Sequence, residues 1–179
     1  MDDRYPADII ERAGKIKILI LDIDGVLTDG KLIYTDRGEE IKNFNVNDGL
    51  GIFLLRNSGI RSMVVTAKGS GIVNKRCKEL RIDKVYKNCH YKIKAFEDII
   101  KRFKVSPENI CFVGDDLIDI PVLRRVGLAV CPENAVREVK EHVHFVTEQN
   151  GGNGAVREVC DFILKSQNKW EEITKPYFE

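Results

Sequence analysis

Residues 18–21, Ile-Leu-Ile-Leu, form an unbroken apolar run that ends in Asp22-Ile23-Asp24-Gly25. Four consecutive apolar residues suit a strand buried on both faces, and the run is far too short to span a membrane. Such strands belong to parallel sheets covered on both sides. The run, read as a strand over 17–22, ends in two carboxylates spaced i, i+2, which a strand places on one face. Side by side they repel each other unless one is protonated or a cation sits between them. An oxygen-only cluster of this kind suits Mg²⁺. The plainer alternative is an acidic turn with Gly25 making the bend.

The rest of the chain repeats the alternation. Residues 31–43 read as two short strands around a turn containing Gly38, a β-hairpin. Asn47 or Asp48 is placed to cap a helix running to about Ser58, with Leu50, Phe53 and Leu54 at helical spacing and Gly59 as a stop. Strands follow at 61–66, 84–86, 110–113, 128–130 and 145–146, and helices at 70–80, 91–103, 116–126, 134–142 and 155–165. The pattern predicts an α/β fold: a Rossmann-like parallel sheet with helices on both faces, right-handed crossovers and a hairpin insertion. No internal linker or repeat divides the 179 residues, so one domain is expected. Ligands in such sheets bind outside the carboxyl ends of the strands, where Asp22 and Asp24 stand.

Composition removes several classes. A net charge of +1 gives no general attraction to nucleic acid or acidic membranes. The start, Met1 to Pro6, lacks the basic and apolar regions of a signal peptide, and no apolar stretch approaches membrane-span length, so a cytoplasmic protein is expected. The five cysteines are scattered and form no Cys-x-x-Cys pair, which suits free thiols in a reducing compartment.

Three more strand ends carry polar groups. Met63-Val64-Val65 ends in Thr66, and Ile110 to Val113 ends in Gly114-Asp115-Asp116-Leu117-Ile118-Asp119. Lys92 lies in the first turn of the helix after the 84–86 strand. A helix starting at Asp115 would set Asp115 and Asp119 one turn apart on one face. Capping explains one aspartate there, but not three. A lysine near four or five aspartates offsets their repulsion and attracts phosphate.

Asp22-x-Asp24, Thr66, Lys92 and Gly114-Asp115-Asp116-x-x-Asp119, in this order, resemble the four motifs of the haloacid dehalogenase superfamily of phosphatases. The resemblance implies that Asp22 attacks phosphorus to form an aspartyl-phosphate. Asp24 would protonate the leaving alcohol and then activate water. Mg²⁺ would be held by Asp22, the backbone carbonyl of Asp24 and Asp115, with Asp116 and Asp119 completing or orienting its shell. Thr66 and Lys92 would hold the phosphoryl group. Covalent catalysis by a carboxylate splits a hard step into two easier ones, and the cationic groups offset the approach of two anions.

The segment 22–30, the hairpin, Phe44-Asn45-Val46-Asn47-Asp48-Gly49 and Gly151-Gly152-x-Gly154-Ala155-Val156-Arg157-Glu158 narrow the resemblance to the 3-deoxy-D-manno-octulosonate 8-phosphate phosphatase family. That family serves lipopolysaccharide synthesis, has no separate cap domain and forms tetramers through the hairpin. Trp170, Tyr177 and Phe178 in the tail are candidates to cover a neighbouring subunit's site. One departure stands out: the family usually has Thr-Gly-Arg where this chain has Thr66-Ala67-Lys68. Lys68 keeps the charge but loses the two-pronged geometry of Arg. Lys68 and Arg76 are the candidates for a substrate carboxylate, with Asp48 as a further substrate-binding residue. The departure leaves open a nine-carbon sugar-acid phosphate as substrate. A phospho-receiver domain is a poorer match, because the 63–65 strand ends without an aspartate and the hairpin has no place in it. A catalytically silent binding homologue is opposed by the intact Asp22/Asp24 pair.

Overall fold

Strand β1 (Ile18–Leu21) is the centre of the molecule, and all four of its residues are buried. Leu19 and Leu21 face one apolar cluster, Ile18 and Ile20 the other. This is the period-2 alternation of a strand covered on both sides. The computed structural model describes residues 5–179; residues 1–4, most of the segment read above for a signal peptide, lie outside it. Among the described residues, no helix is long and apolar enough to cross a membrane.

Strand β1 pairs in parallel with β4 (Arg61–Val65) on one side and β6 (Ile110–Val113) on the other. Strand β5 (Lys84–Tyr86) extends the sheet beyond β4, and β7 (Leu128–Cys131) and β8 (Phe145–Val146) extend it beyond β6. The order β5-β4-β1-β6-β7-β8 reverses direction between β1 and β6. A crevice opens at such a switch point, outside the carboxyl ends of the strands. The hairpin is a separate antiparallel pair, β2 (Ile33–Tyr34) and β3 (Glu40–Ile41), with Ile33 opposite Ile41.

Helices α1 (Ala7–Gly14), α2 (Val46–Asn57), α3 (Gly71–Glu79) and α7 (Ala155–Ser166) contribute to the first cluster. Helices α4 (Lys92–Phe103), α5 (Ile120–Leu123) and α6 (Arg137–Lys140) contribute to the second. The expected α/β sheet with a hairpin insertion is what forms. Helix α1 is an addition to the sequence reading: Ile9 and Ala13 bury its inner side. The helix expected over 116–126 is broken. A 3₁₀ turn over Leu117–Asp119 precedes α5, and Pro121, in the first turn of α5, lacks the N–H that would continue the earlier turn. The helix expected over 134–142 shortens to α6, because Asn134 is drawn off to bond the Gly25 carbonyl and the Gly151 N–H. The tail forms α8 (Trp170–Thr174), and Trp170 packs on the first cluster, with Lys165 5.3 Å from its ring. Tyr177 and Phe178 remain exposed.

Asp48 is a correction. Asn45, not Asn47 or Asp48, caps α2, accepting from the Asn47 N–H at 2.8 Å. Asp48 instead caps α7 from the first turn of α2. Its Oδ1 accepts from the Arg157 N–H at 2.9 Å, and its side chain is buried. Helix α7 needs this help because Gly154, at its own N-cap position, has no side chain to offer.

Burial pushes the Asp48 carboxyl up to about 6, although the Arg157, Gly154 and Val156 N–H groups pull the other way. Folding thus favours its protonated form, so its contribution falls as pH rises from about 4 to about 6 and is level above that. Asp48→Ala should cost about 1–2 kcal/mol in urea unfolding at neutral pH. The stability of the wild type relative to Asp48→Asn should decline across that pH window. A difference that stays constant with pH would refute the buried-carboxyl account.

Candidate active site

The turn after β1 is shaped by its own side chains. Asp22 Oδ1 accepts from the Ile23 N–H at 2.7 Å, and the Asp22 N–H donates to Val113 in β6 at 3.1 Å. The buried Thr28 hydroxyl accepts from the N–H groups of Gly25 and Gly30, each at 3.3 Å, and donates to the Ile23 carbonyl. Gly25 adopts φ +89°, and a Cβ there would lie 1.9 Å from Asp115 Oδ2. Only glycine combines that backbone with so close a neighbour. Gly151 seals the turn from outside, since a Cβ on it would stand 1.8 Å from the Gly25 carbonyl.

Asp22, Asp115 and Asp119 come together, each offering an oxygen within 4.8 Å of the others. Lys92 reaches into them from the first turn of α4, 2.7 Å from Asp22 Oδ2 and 2.6 Å from Asp119 Oδ1. All of its side chain is buried. Burial alone would lower the lysine's pKa, but the charges of Asp22 and Asp119 outweigh it and the net shift is upward. Lys92 is therefore a cation held by two carboxylates. Asp119 also accepts from the N–H groups of Asp115 and Asp116, at 2.9 and 3.2 Å. It closes the loop as a cap, and does not sit one helical turn from Asp115 as expected.

The cluster carries more negative charge than Lys92 balances. Burial, then the Asp22 and Asp119 charges, push Asp115 up to about 8. Burial also raises Asp22, to about 6, against the pull of Lys92. Asp115 Oδ1 is buried with no hydrogen-bond partner among the described residues. An orphaned carboxylate oxygen beside two further carboxylates fits a hard divalent cation such as Mg²⁺.

Asp116 is a second correction. It is exposed, and its Oδ1 accepts from the Leu117 N–H at 2.7 Å, capping the 3₁₀ turn outside the acidic cluster. Thr66 is buried at the end of β4, and its hydroxyl lies 3.2 Å from the Lys68 carbonyl and 3.3 Å from the Lys68 N–H. Lys68 is half exposed and pairs with Glu40 of the hairpin at 3.1 Å. Arg76 is more engaged than a free carboxylate binder: it donates to the Asn45 carbonyl at 3.1 Å and lies 5.6 Å from the Phe44 ring. The sequence reading missed Lys42, which the hairpin sends inward onto Asp24 Oδ1 and Glu40. Alternation continued one residue past β3 was the one available signal, since it sets Glu40 and Lys42 on a face opposite Ile41. The thiols take no part. Cys77, Cys111, Cys131 and Cys160 are buried, and burial raises the half-buried Cys89 as well.

Residues 78–159 match the family described as haloacid dehalogenase-like hydrolase. The 3-deoxy-D-manno-octulosonate 8-phosphate phosphatase of Escherichia coli K12 is 43% identical over 93% of this chain and 88% of its own. The chain belongs to this phosphatase family of haloacid dehalogenase-like hydrolases. It is a phosphoric monoester hydrolase. The solved phosphatase of the same name from Yersinia pestis superposes with a TM-score of 0.92 at 40% identity, covering 96% of this chain and 94% of that one. The Moraxella catarrhalis enzyme, solved in complex with magnesium, phosphate and KDO, superposes with a TM-score of 0.93 at 35% identity, covering 95% and 98%.

The charge imbalance predicts that Mg²⁺ stabilises the protein. Thermal unfolding should show a midpoint that rises with Mg²⁺, by about 2.7 kcal/mol of stability at a hundred times the dissociation constant. Asp115→Ala should remove most of that rise. A variant that still responds like the wild type would exclude Asp115 from the metal site.

Proposed function

We propose that the protein is a Mg²⁺-dependent phosphatase hydrolysing 3-deoxy-D-manno-octulosonate 8-phosphate to the free sugar acid and phosphate, in lipopolysaccharide biosynthesis. The observation that carries the reading is the buried Asp22–Lys92–Asp119 array at the switch point of a sheet, in a chain 43% identical to a phosphatase of that name.

Asp22 is the nucleophile. Lys92 holds its Oδ2 and Ile23 its Oδ1, so the carboxylate is fixed before substrate arrives. Its attack on phosphorus expels the sugar alcohol, which takes a proton from Asp24, two residues away. Asp24 then withdraws a proton from the water that adds to the aspartyl-phosphate and frees Asp22. Thr66, at the end of the neighbouring strand, donates its hydroxyl to a phosphoryl oxygen in place of the Lys68 carbonyl. Asp22, Asp115 and the Asp24 carbonyl would hold a Mg²⁺ ion, which would supply charge neutralisation for the phosphoryl oxygens, while Asp119 orients Lys92 and the loop. Lys68, half exposed beside Glu40, is the candidate to bind the substrate carboxylate, with Arg76 as the second.

We place this chemistry in a single domain acting in the cytoplasm as a homotetramer. The exposed apolar residues Leu32, Ile33, Tyr34 and Ile41 on the hairpin support assembly through that element. They also give a site without its own cap domain a route to a cover.

Phosphate release from the eight-carbon sugar-acid phosphate should require Mg²⁺ and vanish in Asp22→Ala. Turnover surviving that substitution would sink Asp22 as nucleophile. Lys68→Ala should raise KM about two- to fivefold, the loss of one exposed charge contact, with kcat little changed. Preference for a nine-carbon sugar-acid phosphate in the same assay would shift the substrate, and preference for a hexose phosphate or nucleotide would refute the subfamily.

A further inference from the structure

The hairpin is exposed along most of its apolar residues, with Leu32 59% and Tyr34 56% exposed. Against that background the Lys42 side chain is 1% exposed. A desolvated ammonium is unfavourable unless it is paired. Its partners are Asp24 Oδ1 and, at 3.2 Å, Glu40. Burial by itself would lower the lysine's pKa, but these two carboxylates reverse the shift. Asp24 is the residue that the proposed reaction needs for proton transfer, and its side chain is one-third exposed.

We propose that Lys42 is a positioning residue for the reaction: it clamps one oxygen of Asp24 so that the other faces the leaving group. The inference rests on the reading of Asp24 as the general acid. In the first half-reaction the Asp22–phosphorus bond forms and the bond from phosphorus to the sugar oxygen breaks. The proton on Asp24 Oδ2 moves to that oxygen, and the alcohol leaves neutral. Lys42 keeps its proton throughout and holds Oδ1, so the carboxyl cannot rotate away from the departing oxygen. Glu40 fixes the far side of the ammonium, and with Lys68 3.1 Å from Glu40 a line of alternating charges runs from Asp24 to the mouth of the site.

Positioning of a general acid has a signature that simple stapling of the hairpin lacks: it matters in proportion to how badly the leaving group needs a proton. The test measures kcat/KM, which reports only the steps through loss of the alcohol, for the sugar-acid phosphate and for p-nitrophenyl phosphate, with Mg²⁺ present. Lys42→Met, which keeps the length and removes the charge, should lose about 10–100-fold on the sugar phosphate, within the range for general acid catalysis. The same variant should lose about threefold or less on the aryl ester, whose leaving group departs without a proton. Lys42→Arg should recover most of the loss. Lys42→Gln, which removes the charge and leaves only a shorter neutral donor, serves if the methionine variant does not fold, and should show a smaller loss with the same asymmetry. Equal losses on both substrates, or a loss confined to KM, would overturn the proposal. Asp24→Asn is the control: equal losses there would remove Asp24 as general acid and the proposal with it. Asymmetry in Asp24→Asn without asymmetry in the Lys42 variants would overturn the role of Lys42 alone.

Discussion

The Lys92 ammonium, buried between Asp22 and Asp119, ties the two halves of the sheet together at the point where chemistry is proposed. It joins the start of α4, the end of β1 and the loop after β6. Local preference opposes it, because a cation in the first turn of a helix meets the positive end of the helix dipole. Two carboxylates at hydrogen-bonding distance override that. Removing one partner of such a buried group leaves a stranded charge, a loss of about 3–5 kcal/mol. The same contact that orients Asp22 is therefore one on which the folded state depends.

Three carboxylates against one ammonium leave the site negative; burial is the first cause that raises Asp115 and Asp22, and the neighbouring aspartate charges add to it. A phosphate monoester approaching such a surface is repelled unless cations are already in place. The protein supplies one, Lys92, on the far side of Asp22. The orphaned oxygen of Asp115 marks where the other belongs. Placement near the switch point adds to this: the strands end together, so charges far apart in sequence meet without any long loop having to be ordered.

Strand ends were legible because their pattern is local and simple. An apolar run that stops at an aspartate gives both the buried strand and the crevice residue, which is why Asp22, Thr66 and Asp115 could be placed from the sequence. Lys92 was legible only through the order of motifs, since one lysine in a helix start resembles any other until the sheet brings it to Asp22. Asp48 and Asp116 misled for one reason: both stand in acidic, polar stretches beside helix starts, where capping and ligand binding use the same residue types. Pairing in space decides between them. Asp48 serves a helix more than a hundred residues away, and Asp116 serves the residue next to it. Helix α1 carries few apolar residues, and its role is to cover one face of a sheet beside α7, which the sequence does not yet display.

Lys42 shows what a pattern of apolar residues hides. A two-stranded hairpin has too little surface of its own to be stable alone. Its outward residues, Ile33 and Ile41, are opposite one another and half exposed, so they hold the two strands together without anchoring them to the sheet. The inward residues do the anchoring: Lys42 to Asp24 and Glu40 to Lys68, one contact in the crevice and one at its rim. Surface ion pairs contribute about 0–1 kcal/mol, but an ammonium whose side chain is covered tolerates less freedom. The hairpin is thus fixed most firmly where it touches the proposed acid, and any force that stiffens its exposed apolar side also limits the motion of Asp24.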